Sequence, residues 1–142
     1  MAAVNVMEVY AGVIAVLRAD AAVQTALGNP ARIAMRVEPG TVIPYALMSG
    51  IPEGRYSGGL GGKWIRAVGI QFNIYDNDTT CTRVAAAMKA IMDVMDQLPG
   101  SFSVVNVKLG SCVPVFDVLD YDAENDVAMA VCSWRLSVEQ TT

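Results

Sequence analysis

A chain of 142 residues that is 54% hydrophobic and 17% charged has room for one domain with a real core, and too little length for two. Its net charge of −4 and pI near 4.6 weigh against a broad basic surface that grips nucleic-acid phosphates. The complete absence of histidine removes Ser-His-Asp and Cys-His nucleophile sites and His-based zinc centres, leaving only carboxylate, lysine and metal-carboxylate chemistry open. So apolar a composition implies either a generous core or a partly apolar surface that is meant to be covered, and oligomerisation is the natural inference. No apolar run approaches the roughly 18 residues of a spanning helix, and no basic segment precedes an apolar one at the N-terminus, so a soluble, cytosolically made protein is expected. Cys81, Cys112 and Cys132 are odd in number and widely spaced. They read as small buried hydrophobes rather than a disulfide or metal framework.

In chain order, Asn5 to Leu17 places Val6, Val9, Val13, Ile14, Val16 and Leu17 mostly on one side and leaves Glu8 and Arg18 to water, the pattern of an amphipathic helix. Asp20 is positioned to cap a second short helix, Ala21 to Leu27, closed by Gly28-Asn29-Pro30. A short strand is expected at Ile33 to Val37 and a turn at Glu38-Pro39-Gly40. Pro44 opens a strand from Tyr45 to Ser49, since proline is tolerated where a ladder begins. A glycine-rich loop then spans residues 50–63, with Gly50, Gly54, Gly58, Gly59, Gly61 and Gly62 and only Arg55 and Lys63 as cations. Such a segment should be mobile on its own.

Trp64 to Tyr75 alternates Trp64, Val68, Ile70, Phe72 and Ile74 against Ala67, Gly69, Gln71 and Asn73, which makes it a half-buried strand paired with Tyr45 to Ser49. Asp76, Asn77 and Asp78 offer a turn and an N-cap for a helix starting near Thr79. Its apolar stripe is Cys81, Val84, Ala85, Met88, Ile91, Met92, Met95 and Leu98, and Pro99-Gly100 should end it. Strands are expected at Ser103 to Leu109 and Val113 to Tyr121, separated by a turn at Gly110. Asp122 to Asp126 forms a hairpin tip. The final strand, Val127 to Val138, is apolar on both faces and suits a central position or one covered by a neighbouring subunit.

Three constellations invite chemistry and are better explained without it. Ser57 to Lys63 resembles a phosphate-cradling loop, but Ser57 replaces its first glycine, Trp64 replaces its hydroxyl residue, and a strand follows where a helix is required. The run Asp117, Asp120, Asp122, Glu124, Asp126 resembles a calcium loop. That pattern, counted from Asp120, needs glycine at Asn125 and glutamate at Val131, so a solvated hairpin tip fits better, one that also repels misplaced partners or lines a passage to which DNA must not stick. No carboxylate stands in an apolar setting that marks an acid/base pair. Met88, Met92 and Met95 fit core packing at helical spacing.

The order of elements is distinctive. Leu17-Arg18-Ala19-Asp20-Ala21-Ala22-Val23 with Leu27 and Arg32-Ile33, then Pro44-Tyr45, a long strand ending Phe72-Asn73-Ile74-Tyr75, the helix Val84 to Leu98, and a closing hairpin with Tyr121-Asp122 together resemble the tail terminator, or tail completion, family of long-tailed bacteriophages. The resemblance covers nearly the whole chain, 1–142, as a single domain. It implies an α+β fold, an antiparallel sheet of about four to five strands flanked by helices, in a protomer that forms a six-membered ring. It further implies a structural virion protein at the tail-neck junction, assembled in the host cytoplasm, that caps the tail tube, ends its polymerisation and presents a joining surface to neck or head-completion proteins. DNA passes through the lumen without specific binding, and no cofactor, metal, catalytic residue or membrane contact is implied. Another neck connector or tube ring of similar fold is the alternative, followed by a small-ligand-binding α+β domain. The loop at 50–63 departs from the simplest family pattern. Arg55, Gly58, Gly59, Gly61, Gly62 and Lys63, together with Asp122, Glu124 and Asp126 at the hairpin tip, are the expected interface residues, with the loop ordering on contact.

Overall fold

The computed structural model describes residues 5–36, 41–51, 56–58, 64–77 and 80–140. Helix α1, Val6–Ala19, starts where the Asn5 side chain accepts from the Met7 amide. It stops at Asp20, whose carboxylate accepts from Val23 N at 3.1 Å and so caps α2, Ala21–Leu27, as the sequence predicts. Gly28 closes α2 with φ of 91°, a conformation that penalises any side chain. Strand β1 is only Ile33–Ala34, shorter than expected. It lies parallel to β2, Tyr45–Ile51, a pairing that the expected antiparallel sheet did not include. The expected turn at 38–40 lies outside the described residues.

Strand β3, Tyr56–Gly58, falls inside the glycine-rich segment and pairs with the start of β4, Trp64–Asp76. Residues 56–58 of the expected loop are therefore a strand. The long hairpin of β2 with β4 forms as expected, from Tyr45 opposite Tyr75 to Ile51 opposite Gly69. The alternation of β4 is also obeyed: Val68, Ile70, Phe72 and Ile74 are buried, and Asp76 continues the same parity into the core edge.

The following helix, α3, runs Thr82–Asp96 and begins later than expected. Asp76 is still in the strand and therefore cannot cap it. The N-cap is Cys81, in the left-handed conformation at φ 59° and without a side-chain capping bond. Asp76 serves the helix differently: its buried carboxylate lies 2.7 Å from Nε of Arg83 in the first turn, an ion pair off the line of a hydrogen bond, while Oδ1 accepts from Asn77 N. Nor does Pro99-Gly100 terminate α3. The helix ends at Asp96, and Pro99 sits in the first turn of a short α4, Leu98–Ser101, where its missing N–H costs nothing.

Strand β5 is continuous from Val107 to Asp122, so Gly110 is not a turn. Gly110 and Val115 are each skipped by the register as bulges, the second beside Pro114, which has no N–H for the ladder. The tip Asp122 to Asp126 and the last strand β6, Val127–Gln140, follow as expected. The sheet order is β1-β2-β4-β6-β5 with β3 also on β4, so β4 is the middle strand and β6 an interior one between β4 and the edge strand β5.

The core fills one side of this sheet. Val9, Val13 and Leu17 of α1 and Val84, Ile91 and Met95 of α3 meet Ile70 and Phe72 of β4 and Trp134 and Leu136 of β6. Phe72 and Trp134 pack edge to face with centroids 5.8 Å apart, a geometry that adds to simple burial. At about 25 cal/mol per Å² of apolar area removed from water, such interlocking is the main support of the fold. Met88 and Met95 are core residues as expected, whereas Met92 is half-buried. Cys132 is buried; Cys81 and Cys112 are only half-buried, since one caps a helix and the other lies on an edge strand. Burial pushes the Cys112 and Cys132 thiols up to about 12, with nearby carboxylates adding to it.

Candidate interaction surfaces

The sheet has two edges, and the sequence treats them differently. The β5 edge is apolar and acidic. After Leu109 the strand leaves the shelter of the helices, and Val113, Val115, Phe116, Val118 and Leu119 are 45–54% exposed. Phe116 lies opposite Ser133 and Leu119, three residues further on, opposite Ala130, so the two point to opposite faces. Both faces of the strand thus carry exposed apolar groups. Asp117 and Asp120 are interleaved with them, and Asp122, Glu124 and Asp126 follow at the tip.

The tip is built by its own side chains. Asp122 accepts from the amides of Glu124 and Asn125 and from Asn125 Nδ2 at 2.7 Å, which draws its carboxyl below the ordinary value. Asp126 takes a positive φ of 55° and accepts from the Tyr121 hydroxyl; this bond, more than burial, pushes the phenol's pKa up. These carboxylates are occupied as turn-formers, and among the described residues no group of three or more Cys, Asp or Glu is placed to hold a metal.

The opposite edge is apolar and basic. Arg18, Arg32 and Arg36 gather beside β1, and Met35, Val42 and Ile43 in the adjoining segments are exposed. Arg18 Nη2 donates to Ile33 O at 2.6 Å and Arg32 Nε to Pro44 O at 2.8 Å, so both guanidinium groups also fasten β1 and the start of β2. An open groove of about 790 Å³ runs between α2 and α3, lined by Ala22, Ala26, Ala86 and Ala90. Its rim charges are satisfied internally, as in Lys89 with Asp93 at 2.8 Å. Convergent, underused polar groups of the kind that hold a small ligand are not seen among the described residues.

Of the expected interface residues, the structure places Asp122, Glu124 and Asp126 together at the β5–β6 tip, and Gly58 in β3 opposite Trp64. Arg55, Gly59, Gly61, Gly62 and Lys63 lie outside the described residues. Sequence reasoning missed the exposed Val113 to Leu119 stretch. Its alternation is broken by Gly110 and Val115, and apolar residues in a strand read as core; the signal that could have found it was the pair of aspartates, Asp117 and Asp120, among them. No helix among the described residues is long and apolar enough to cross a membrane.

Comparison with solved structures places the fold close to a chain in the virion of a native gene transfer agent particle. The TM-score is 0.75 at 18% sequence identity, over 91% of this chain and 92% of that one. Among curated proteins no sequence matches. The family model of the tail completion protein gp17 matches residues 11–139, from the first turns of α1 almost to the end of β6. The chain therefore belongs to the tail completion protein gp17 family, structural proteins of the phage tail.

Proposed function

We propose that this protein caps the tail tube of a long-tailed phage or phage-like particle, ends tube polymerisation, and provides the joining surface to the neck at the tail-neck junction. It acts as a six-membered ring through which DNA passes, and as a structural part rather than an enzyme. The observation that carries this reading is the family match across nearly every element of the fold. The likeness to a chain of a gene transfer agent virion agrees with it. A cyclic ring needs two different surfaces on each protomer, and the two unlike sheet edges supply candidates. An acidic chain is also suited to a channel that must release DNA rather than retain it.

The test is electron microscopy of lysates from the producing phage or particle with this gene removed. Overlong tubes without heads are expected. Tubes of normal length without heads would instead assign the protein to a neck connector that acts after termination. Normal infectious particles would exclude both roles. The segment 50–63, including Arg55 and Lys63, is proposed to contact the tube or a neighbouring protomer; normal capping after deletion of residues 58–62 would remove that part of the reading.

A further inference from the structure

We infer that the β5 edge of one protomer docks head to tail on the β1 side of a second copy of the same chain. This inference rests on the ring reading above and goes beyond it by naming the two surfaces. β5 has β6 on one side and no strand on the other among the described residues, over the long run from Val107 to Asp122. An edge of this length with five large exposed hydrophobics is a template for another chain unless something covers it. At the far edge, β1 covers β2 only at Ala46 and Leu47, so Met48 to Ile51 have no outer strand partner among the described residues.

Charge decides which edge meets which. Self-pairing of two β5 edges about a two-fold axis would bring Asp117 and Asp120 of one copy against those of the other, with the acidic tips close by. The β1 side has the opposite character: Arg18, Arg32 and Arg36 beside exposed Met35, Val42 and Ile43. Acid and base, each set among apolar groups, are matched between the two edges and mismatched within each one. A contact between unlike surfaces generates a closed ring or an open filament rather than a two-fold dimer.

The test uses the full chain with Val118→Cys and Met35→Cys, singly and together, under mild oxidation, in solution and in assembled particles. Only the double variant is expected to give a ladder of cross-linked species up to a closed ring, with the native cysteines alone giving none. In parallel, Asp117→Lys with Asp120→Lys is expected to weaken self-association at least tenfold by analytical ultracentrifugation, and adding Arg36→Glu to recover part of it. Dimers from Val118→Cys alone, or rings that form with neither the ladder nor the charge effect, would overturn this edge assignment and leave the ring reading standing. A chain that stays monomeric and uncross-linked in both settings would overturn the ring reading as well.

Discussion

β4 and β5 flank the same interior strand, β6, and they have opposite fates. Over β4, Val68, Ile70, Phe72 and Ile74 are sealed beneath α1 and α3; over β5, Val113, Val115, Phe116, Val118 and Leu119 stay about half exposed. The difference lies in what is stacked above each strand rather than in the apolar content of the strands themselves. An apolar strand is core only where a second layer reaches it.

The sharpest way to break that comparison is to truncate one aromatic on each strand. Phe72→Ala removes the edge-to-face partner of Trp134 and leaves a cavity, so it should cost about 3–5 kcal/mol in urea unfolding. Phe116→Ser should change protomer stability by no more than about 0.5 kcal/mol, since the site is already wet, while reducing self-association in ultracentrifugation. Equal stability losses in the two would collapse the distinction.

Next in size is Gly50→Ala in β2. A Cβ there would lie 2.0 Å from the Tyr10 hydroxyl oxygen, so α1 must shift or the tyrosine must leave. A loss of about 1–3 kcal/mol is expected, with part recovered by adding Tyr10→Phe; an unaffected Tm would show that α1 is seated loosely on the sheet. Asp20→Ala, which removes the cap of α2, should cost about 1 kcal/mol and spare β5 entirely.

The smallest effect belongs to the exposed tip. Because the Asp122 carboxyl titrates below its ordinary value when the turn is formed, the turn is favoured above about pH 4 and loses that support as pH falls through the lowered native value. NMR titration of the Asn125 amide should follow this transition, and Asp122→Asn should abolish it. An Asn125 amide insensitive to acid would mean that the turn is held by something other than this carboxylate.

Much of this was legible in the residues. The Asp20 cap, the α2 boundaries, the β2–β4 hairpin, the core face of β4 and the Asp122 to Asp126 tip all follow from local chemistry, because each is decided within a few residues. What escaped depends on partners distant in sequence. Asp76 looked like a cap, but the strand continues through it and its carboxylate meets Arg83 from beneath. Gly110 looked like a turn because a lone glycine between apolar runs usually is one, and only pairing with β6 shows it to be a bulge. The β3 pairing and the exposure of β5 are likewise decided by the third dimension. Family membership was carried by the order of elements and not by any single residue, while the two unlike sheet edges became visible only once the sheet order was known.

The bulges at Gly110 and Val115 have a consequence for fidelity. A smooth edge strand offers an uninterrupted ruler of donors and acceptors, onto which any extended peptide can zip in any register. Two unpaired residues cut the β5 ruler into short segments out of phase with one another. A stray strand can match one segment but not the next. The irregularities discourage the open-ended stacking that an exposed apolar edge would otherwise invite.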